Sequence, residues 1–333
     1  MRIFGIKNIK TGELEKIGTH IIRRLIESKT LDKYRLPNNS FYIVLDGTGL
    51  YSTRIKLPEG SVHKTFNKGT DTEYIEYHKY VLEAKLVCGD YVFSLATEFI
   101  ENENMDNDEA KQDCELKAAH RLLEKIRKRF PKLAITIGGD ALYANGPFMK
   151  ACVTHKMDYL FRYKDTVMPT LYEEFESLEK EMEKETEKEY EYVNSVGYGN
   201  GTKQTEGITN IIRYKEKDST FMYITSLKID NNNYKEVVQI GRARWKIENQ
   251  GFKSQKSDIL DISHIYTFDN NGTKVNYYFI QFAHTLLTLL FYGSIIIKKL
   301  KETNVEVVSL LYQSAISELD LNLENTLQIR FDE

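Results

Sequence analysis

FYIVLDGTG, residues 41–49, is the stretch from which the fold is read. Phe41 to Leu45 form an unbroken apolar run, followed at once by Asp46 and the step Gly47-Thr48-Gly49. A short apolar run closed by turn residues reads as a buried strand, here 41–46, that the glycines stop. Outward from it, LYSTRIKL (50–57) alternates and is expected to pair with that strand, and a polar loop fills roughly 58–76. YVLEAKLVC (80–88) and YVFSLATEF (91–99) flank Gly89-Asp90, a hairpin signal. In 108–130, Cys114, Ala118, Leu122, Ile126 and Phe130 recur every four residues, which predicts a helix that Pro131 ends. LAITIGGD (133–140) repeats the first pattern: an apolar strand, then glycines, then Asp140. A helix near 145–157 and a strand at 158–163 follow. A helix between antiparallel strands and a later strand lets 133–140 lie parallel to 41–46. The fold class expected is therefore α/β, a mixed sheet flanked by helices.

Asp46 and Asp140 occupy equivalent places, each closing an apolar strand before small residues. Ligand sites of open α/β sheets lie at the carboxyl ends of strands. Two aspartates on adjacent parallel strands can share a hard divalent cation such as Mg²⁺ or Mn²⁺. The plainer alternative is that each aspartate caps a turn; the spacing leaves both readings open.

A third feature is IGRARWKIENQGFKSQK (240–256), expected within a helix over about 235–256. Arg244 and Glu248, four apart, share a face of such a helix, while Trp245 and Phe252 are placed to anchor it to the core. Glu248 then becomes a third acid beside cations suited to a phosphate backbone; a surface ion pair is the bland alternative.

Charge is segregated along the chain. The net charge of −3 argues mildly against a nucleic-acid partner, but residues 173–191 alone hold ten Glu and three Lys, leaving +4 on the rest. That acidic run reads as a solvated helix over about 170–191. By contrast, 235–256 carries Lys235, Arg242, Arg244, Lys246, Lys253 and Lys256 against Glu236 and Glu248. The 3 Cys lack any CxxC pair, and the histidines lack zinc spacing. No phosphate-binding G-x-x-x-x-G-K-[ST] loop occurs, which leaves ATP-driven work unsupported. MRIFGIKNIK has no apolar core of a signal peptide, so a cytoplasmic protein is expected. The uncharged run 279–297 is broken by Gln281, His284, Thr285 and Thr288 and reads as a buried helix rather than a membrane span.

Taken in order, LDGTG, HKYVLEAKLV, KQDCELKAAHRLL, GGDALYANGPF and RWKIENQGF with a downstream AHTLL helix resemble DDE transposases of the IS4-like superfamily. The resemblance spans roughly residues 20–295. It implies an RNase H-like catalytic core over 41–170 and 234–300. It also implies an insertion over 171–233, of acidic helix plus β segments, between a short helical front (1–40) and a helical tail (301–333). Asp46, Asp140 and Glu248 would be the metal-binding catalytic acids, holding two Mg²⁺ or Mn²⁺ ions. Arg244, Lys253 and Lys256 would contact DNA. The partners implied are terminal inverted repeats and target DNA, bound by a homodimer in the bacterial nucleoid, with no membrane. Against the family's Tyr-x2-Arg-x3-Glu-x6-Lys signature, the Tyr place holds Gly241 and the Lys place Gln255, with Lys256 one residue later. Only 45 residues precede Asp46, too few for a separate helix-turn-helix domain and a linker, so a short or truncated transposase is expected. The competing classes are a non-catalytic DNA-binding relative and a plain nuclease on the same core.

Overall fold

The computed structural model describes residues 8–57, 60–102, 113–185, 188–199, 206–258 and 260–293, with the single positions 306, 309 and 313. Its organising element is β1 (Phe41–Thr53). Phe41, Ile43 and Leu45 are fully buried on one face and join the larger apolar core; Tyr42 and Val44 belong to the core on the other face. That double burial explains the unbroken apolar run.

Before β1 lies helix α1 (Thr11–Glu27), within the short helical front expected over 1–40. Lys29 adopts a left-handed conformation just beyond it, and only Asp32–Tyr34 winds again, as a 3₁₀ turn. After β1 come β2 (Val62–Phe66), β3 (Tyr74–Cys88) and β4 (Tyr91–Ile100). The β3–β4 hairpin turns at Gly89-Asp90 as expected, with Cys88 opposite Tyr91. Helix α2 (Glu115–Arg129) buries Ala118, Ala119, Leu122, Leu123 and Ile126. The earlier part of the expected helix lies outside the described residues. Then follow β5 (Ile135–Gly139), helix α3 (Gly146–Thr154) and β6 (Asp158–Tyr163).

β1 runs antiparallel to β3 and parallel to β5, and β5 runs parallel to β6. The order β4–β3–β1–β5–β6, three antiparallel strands followed by two joined through helical crossovers, is the arrangement of an RNase H-like core. Two expectations about β1 need correcting. Gly47-Thr48-Gly49 does not stop it; the strand continues to Thr53 because β3 supplies partners for its backbone, with an irregularity between Gly49 and Tyr51. LYSTRIKL is consequently not a partner of β1 but partly its continuation, and β2 forms inside the expected loop.

The sheet goes on past β6. Helix α4 (Pro169–Ser177) leads into β7 (Glu181–Glu185), β8 (Lys188–Tyr198), β9 (Gly207–Glu216) and β10 (Ser219–Thr225), in the order β6–β10–β9–β8–β7, to make ten strands. The acidic helix expected over 170–191 is thus a helix only to Ser177. Tyr190 and Tyr192, two apart, are both buried against Tyr234, a period that suits a strand and not a helix. Between them Glu191 meets Arg213 and Lys215 of β9. The EMEKE strand at the sheet edge carries the charge that discourages edge-to-edge pairing.

The expected helix 235–256 is three pieces. Helix α5 (Tyr234–Arg242) passes into a 3₁₀ turn (Ala243–Trp245) and then a π-helix (Ile247–Asp258). Phe252 is buried as expected, whereas Trp245 is 48% exposed and anchors nothing to the core. Helix α6 (Asn270–Gly293) turns Gln281, His284, Thr285 and Thr288 inward along with Val275, Tyr277 and Phe291. Among the described residues no helix is long and apolar enough to cross a membrane. The expected tail over 301–333 lies outside the described residues, save those three positions.

Candidate active site

Asp46 sits midway along β1, opposite Glu83 of β3 and two residues past Val44, the last to pair with β5. Asp140 directly follows β5 and opens the 3₁₀ turn Ala141–Tyr143, one carboxylate oxygen accepting from the Leu142 amide at 2.8 Å. The cap reading of Asp140 is therefore correct as far as that oxygen goes. Parallel register between β1 and β5 brings the two aspartates to the same end of adjacent strands.

Glu248 arrives from the π-helix. Arg244, one turn earlier, places Nη1 2.8 Å from Glu248 Oε1 and 4.0 Å from Asp46 Oδ2. A single guanidinium thus bridges acids that lie far apart in the sequence. Glu248 itself remains 52% exposed. Burial pushes the Asp46 carboxyl up to about 7; Arg244 opposes the rise, and Glu115, Glu248 and Asp140 each add to it. Arg244 is held above its ordinary range: burial works against its charge, but Glu248, Asp46 and Asp140 together outweigh that. These mutual effects report a concentrated negative field.

Whether the acids suit a divalent cation follows from the donors and their spacing. An all-oxygen set of carboxylates in a partly desolvated place matches Mg²⁺ or Mn²⁺. Among the described residues, no three His, Cys, Asp or Glu stand close enough to hold an ion without rearrangement. The donor chemistry fits; the cage is not closed, because Glu248 is engaged by Arg244.

The two departures from the family signature have a spatial reason. A Cβ at Gly241 would lie 2.5 Å from Cε1 of Tyr223 on β10, so a tyrosine cannot stand there. Gln255 is fully buried and donates to Gln281 Oε1 at 2.8 Å, which removes it from any outer surface. Lys253 and Lys256 are exposed on the same π-helix. His78 of β3 stacks on Tyr80 and lies beside Glu76.

Below the π-helix runs a polar network. Lys85 of β3, fully buried, donates to Gln281 Oε1 at 3.0 Å and lies near Glu83. Burial pushes the Lys85 ammonium pKa down and the Glu83 carboxyl up, each partner opposing the other's shift. Nε2 of His284 faces the Gln250 carbonyl at 2.9 Å and the Ser254 hydroxyl at 3.0 Å.

Sequence reasoning missed Glu115, the first residue of α2. It accepts from the Tyr143 hydroxyl at 2.5 Å and lies against Gly47, and its charge reaches both Asp46 and Asp140. The only signal available was an acid opening an amphipathic helix, which is commonplace.

A family model described as "Transposase DDE domain group 1" matches residues 92–310. The match includes Asp140, Arg244 and Glu248 and begins after Asp46. Among solved structures, the NurA nuclease from Sulfolobus solfataricus is a distant likeness, with a TM-score of 0.33 at 10% identity over 69% of this chain and 82% of that chain. No curated protein matches.

Proposed function

The chain belongs to the group 1 family of transposase DDE domains, and from that premise we propose that it cuts and joins the DNA ends of an insertion sequence, with Asp46, Asp140 and Glu248 as its catalytic acids. The observation that carries this reading is the Arg244 bridge between Glu248 and Asp46, where β1 runs on past its pairing with β5, the strand that Asp140 follows. Structural packing alone has little need of three carboxylates and one arginine at that point of the sheet.

Asp46 and Asp140 would hold the divalent cation pair, Glu248 joining them once it parts from Arg244. Bound cations polarise the scissile phosphate and stabilise the charge on attacking and leaving oxygens. In the first step the oxygen of water bonds to phosphorus and the 3′-oxygen leaves with the bonding pair, taking up a proton. The freed 3′-hydroxyl then attacks a target phosphodiester. One phosphorus–oxygen bond forms for each one broken, so no nucleotide triphosphate is consumed. Arg244, released from Glu248, meets a non-bridging phosphate oxygen with a planar fork of donors. Lys253 and Lys256 hold the flanking backbone, an affinity that falls steeply with salt. Two element ends call for two active sites, hence a homodimer on DNA.

The test incubates the full chain, Mg²⁺, labelled DNA from the flanks of its gene and a supercoiled plasmid. Label joined to plasmid supports the transposase. Cleavage without joining marks a plain nuclease, and neither activity marks a non-catalytic relative.

A further inference from the structure

Glu115 touches the neighbours of two different acids. Gly47, against which its carboxylate lies, is the residue after Asp46, and Tyr143, whose hydroxyl donates to it, ends the turn that Asp140 opens. The approach to β1 is close: a Cβ at Gly47 would fall 2.4 Å from Glu115 Oε2, so only glycine admits the carboxylate there. Tyr143 is fully buried, and its amide hydrogen-bonds the Asp140 carbonyl at 3.3 Å, so its ring cannot shift without the turn. The base of Glu115 is equally firm, since α2 sinks five side chains into the core within three turns of it. An acid at a helix start is favoured by the helix dipole, but the dipole does not account for its contact with two separate segments. Placing a carboxylate beside two others costs free energy, and the Tyr143 hydroxyl offsets part of that cost.

We propose that Glu115 is a positioning residue: its carboxylate clamps the Asp46 step of β1 to the Asp140 turn and so sets the separation of the two strand acids. The idea rests on the reading of Asp46 and Asp140 as cation ligands and deepens it. Glu115 acts through its partners, so breaking the clamp from the far end, with the carboxylate left in place, has the same consequence as altering Glu115 itself.

The experiment uses the full-length chain and four variants: Glu115→Gln, Tyr143→Phe, their double, and Asp46→Asn. Mn²⁺ binding is read by the EPR signal of free Mn²⁺ during titration, and cleavage is read as separate kcat and KM for DNA. Both single variants are expected to weaken Mn²⁺ binding about tenfold and to lower kcat with KM unchanged. The double should be no worse than the worse single, since both remove one interaction. Wild-type Mn²⁺ binding by Tyr143→Phe would overturn the clamp. So would a large loss confined to Glu115→Gln, which would make Glu115 a ligand in its own right. Asp46→Asn separates the two levels: if it binds Mn²⁺ like the wild type, the cation site itself is wrong; if it loses binding while Tyr143→Phe does not, only the clamp falls. Thermal unfolding of Tyr143→Phe, which keeps the ring, guards against a merely unfolded variant.

Discussion

Two of the three acids stand on the sheet and the third on a widened helix, and the two supports differ in kind. Asp46 and Asp140 are placed by main-chain pairing: β1 to β3 and β5, β5 to β6. Glu248 is placed by side chains. Its helix is π-wound over twelve residues, and its inward Gln255 meets a buried set beneath it, Lys85, Gln281 and His284. Long π-helical stretches are rare and cluster at functional sites. A ladder of backbone bonds has one register, whereas a helix resting on a polar network has somewhere to move. The strand acids thus stand on a fixed platform, and Glu248, half exposed and tied to Arg244, on an adjustable arm.

The acids themselves should show the largest effects. Asp46→Asn, Asp140→Asn and Glu248→Gln should each lower Mg²⁺-dependent cleavage by roughly a thousandfold or more, with circular dichroism unchanged. Full cleavage by any one of them removes that residue from the set. If only the Glu248 variant keeps residual activity, the fixed-platform half of the comparison is sharpened. Next in size is Lys85→Met, which leaves Glu83 buried with the Ser94 and Thr97 hydroxyls but without a cation. A loss of about 3–5 kcal/mol in urea unfolding is expected, with much of it restored by adding Glu83→Gln. An unchanged midpoint would show that the network does not support the arm. Arg244→Ala should cost about a hundredfold in cleavage with little change in stability, and Arg244→Lys should rescue poorly because a point charge cannot bridge two carboxylates. Equal activity of the lysine variant would reduce Arg244 to a generic cation. Smallest are Lys253→Ala and Lys256→Ala, each expected to flatten the salt dependence of DNA binding by about one unit of slope without altering kcat. Strong preference for one DNA sequence in that titration would reveal base readout that the two lysines cannot supply.

Much of the platform was legible in advance because its signals are local. The apolar run before Asp46, the Gly89-Asp90 turn, the four-residue rhythm of Ala118, Leu122 and Ile126, and the strand before Asp140 each state their element within a dozen residues. The arm was less legible. Arg244 and Glu248 were expected on one helical face and do form a pair, but the change from α through 3₁₀ to π winding has no periodic signature.

The strands at 41–46, 80–88, 91–99, 133–140 and 158–163, the crossover helix before 133–140 and the three acids worth testing are written in the sequence, since burial on one or two faces shows in spacing. Only the tertiary structure decided the rest. Residues 181–185 and 188–191 are Glu-rich, a composition that favours helix, yet they pair as strands because Tyr190 and Tyr192 find a buried face beside Tyr234. Trp245 faces outward because the turn that carries it is 3₁₀, and Gln255 faces inward because Gln281 is there to meet it. Glu115 joins the acids only because α2 begins where β1 and the Asp140 turn converge. Each of these outcomes depends on a partner far away in the chain, and no local pattern encodes which partner will be opposite.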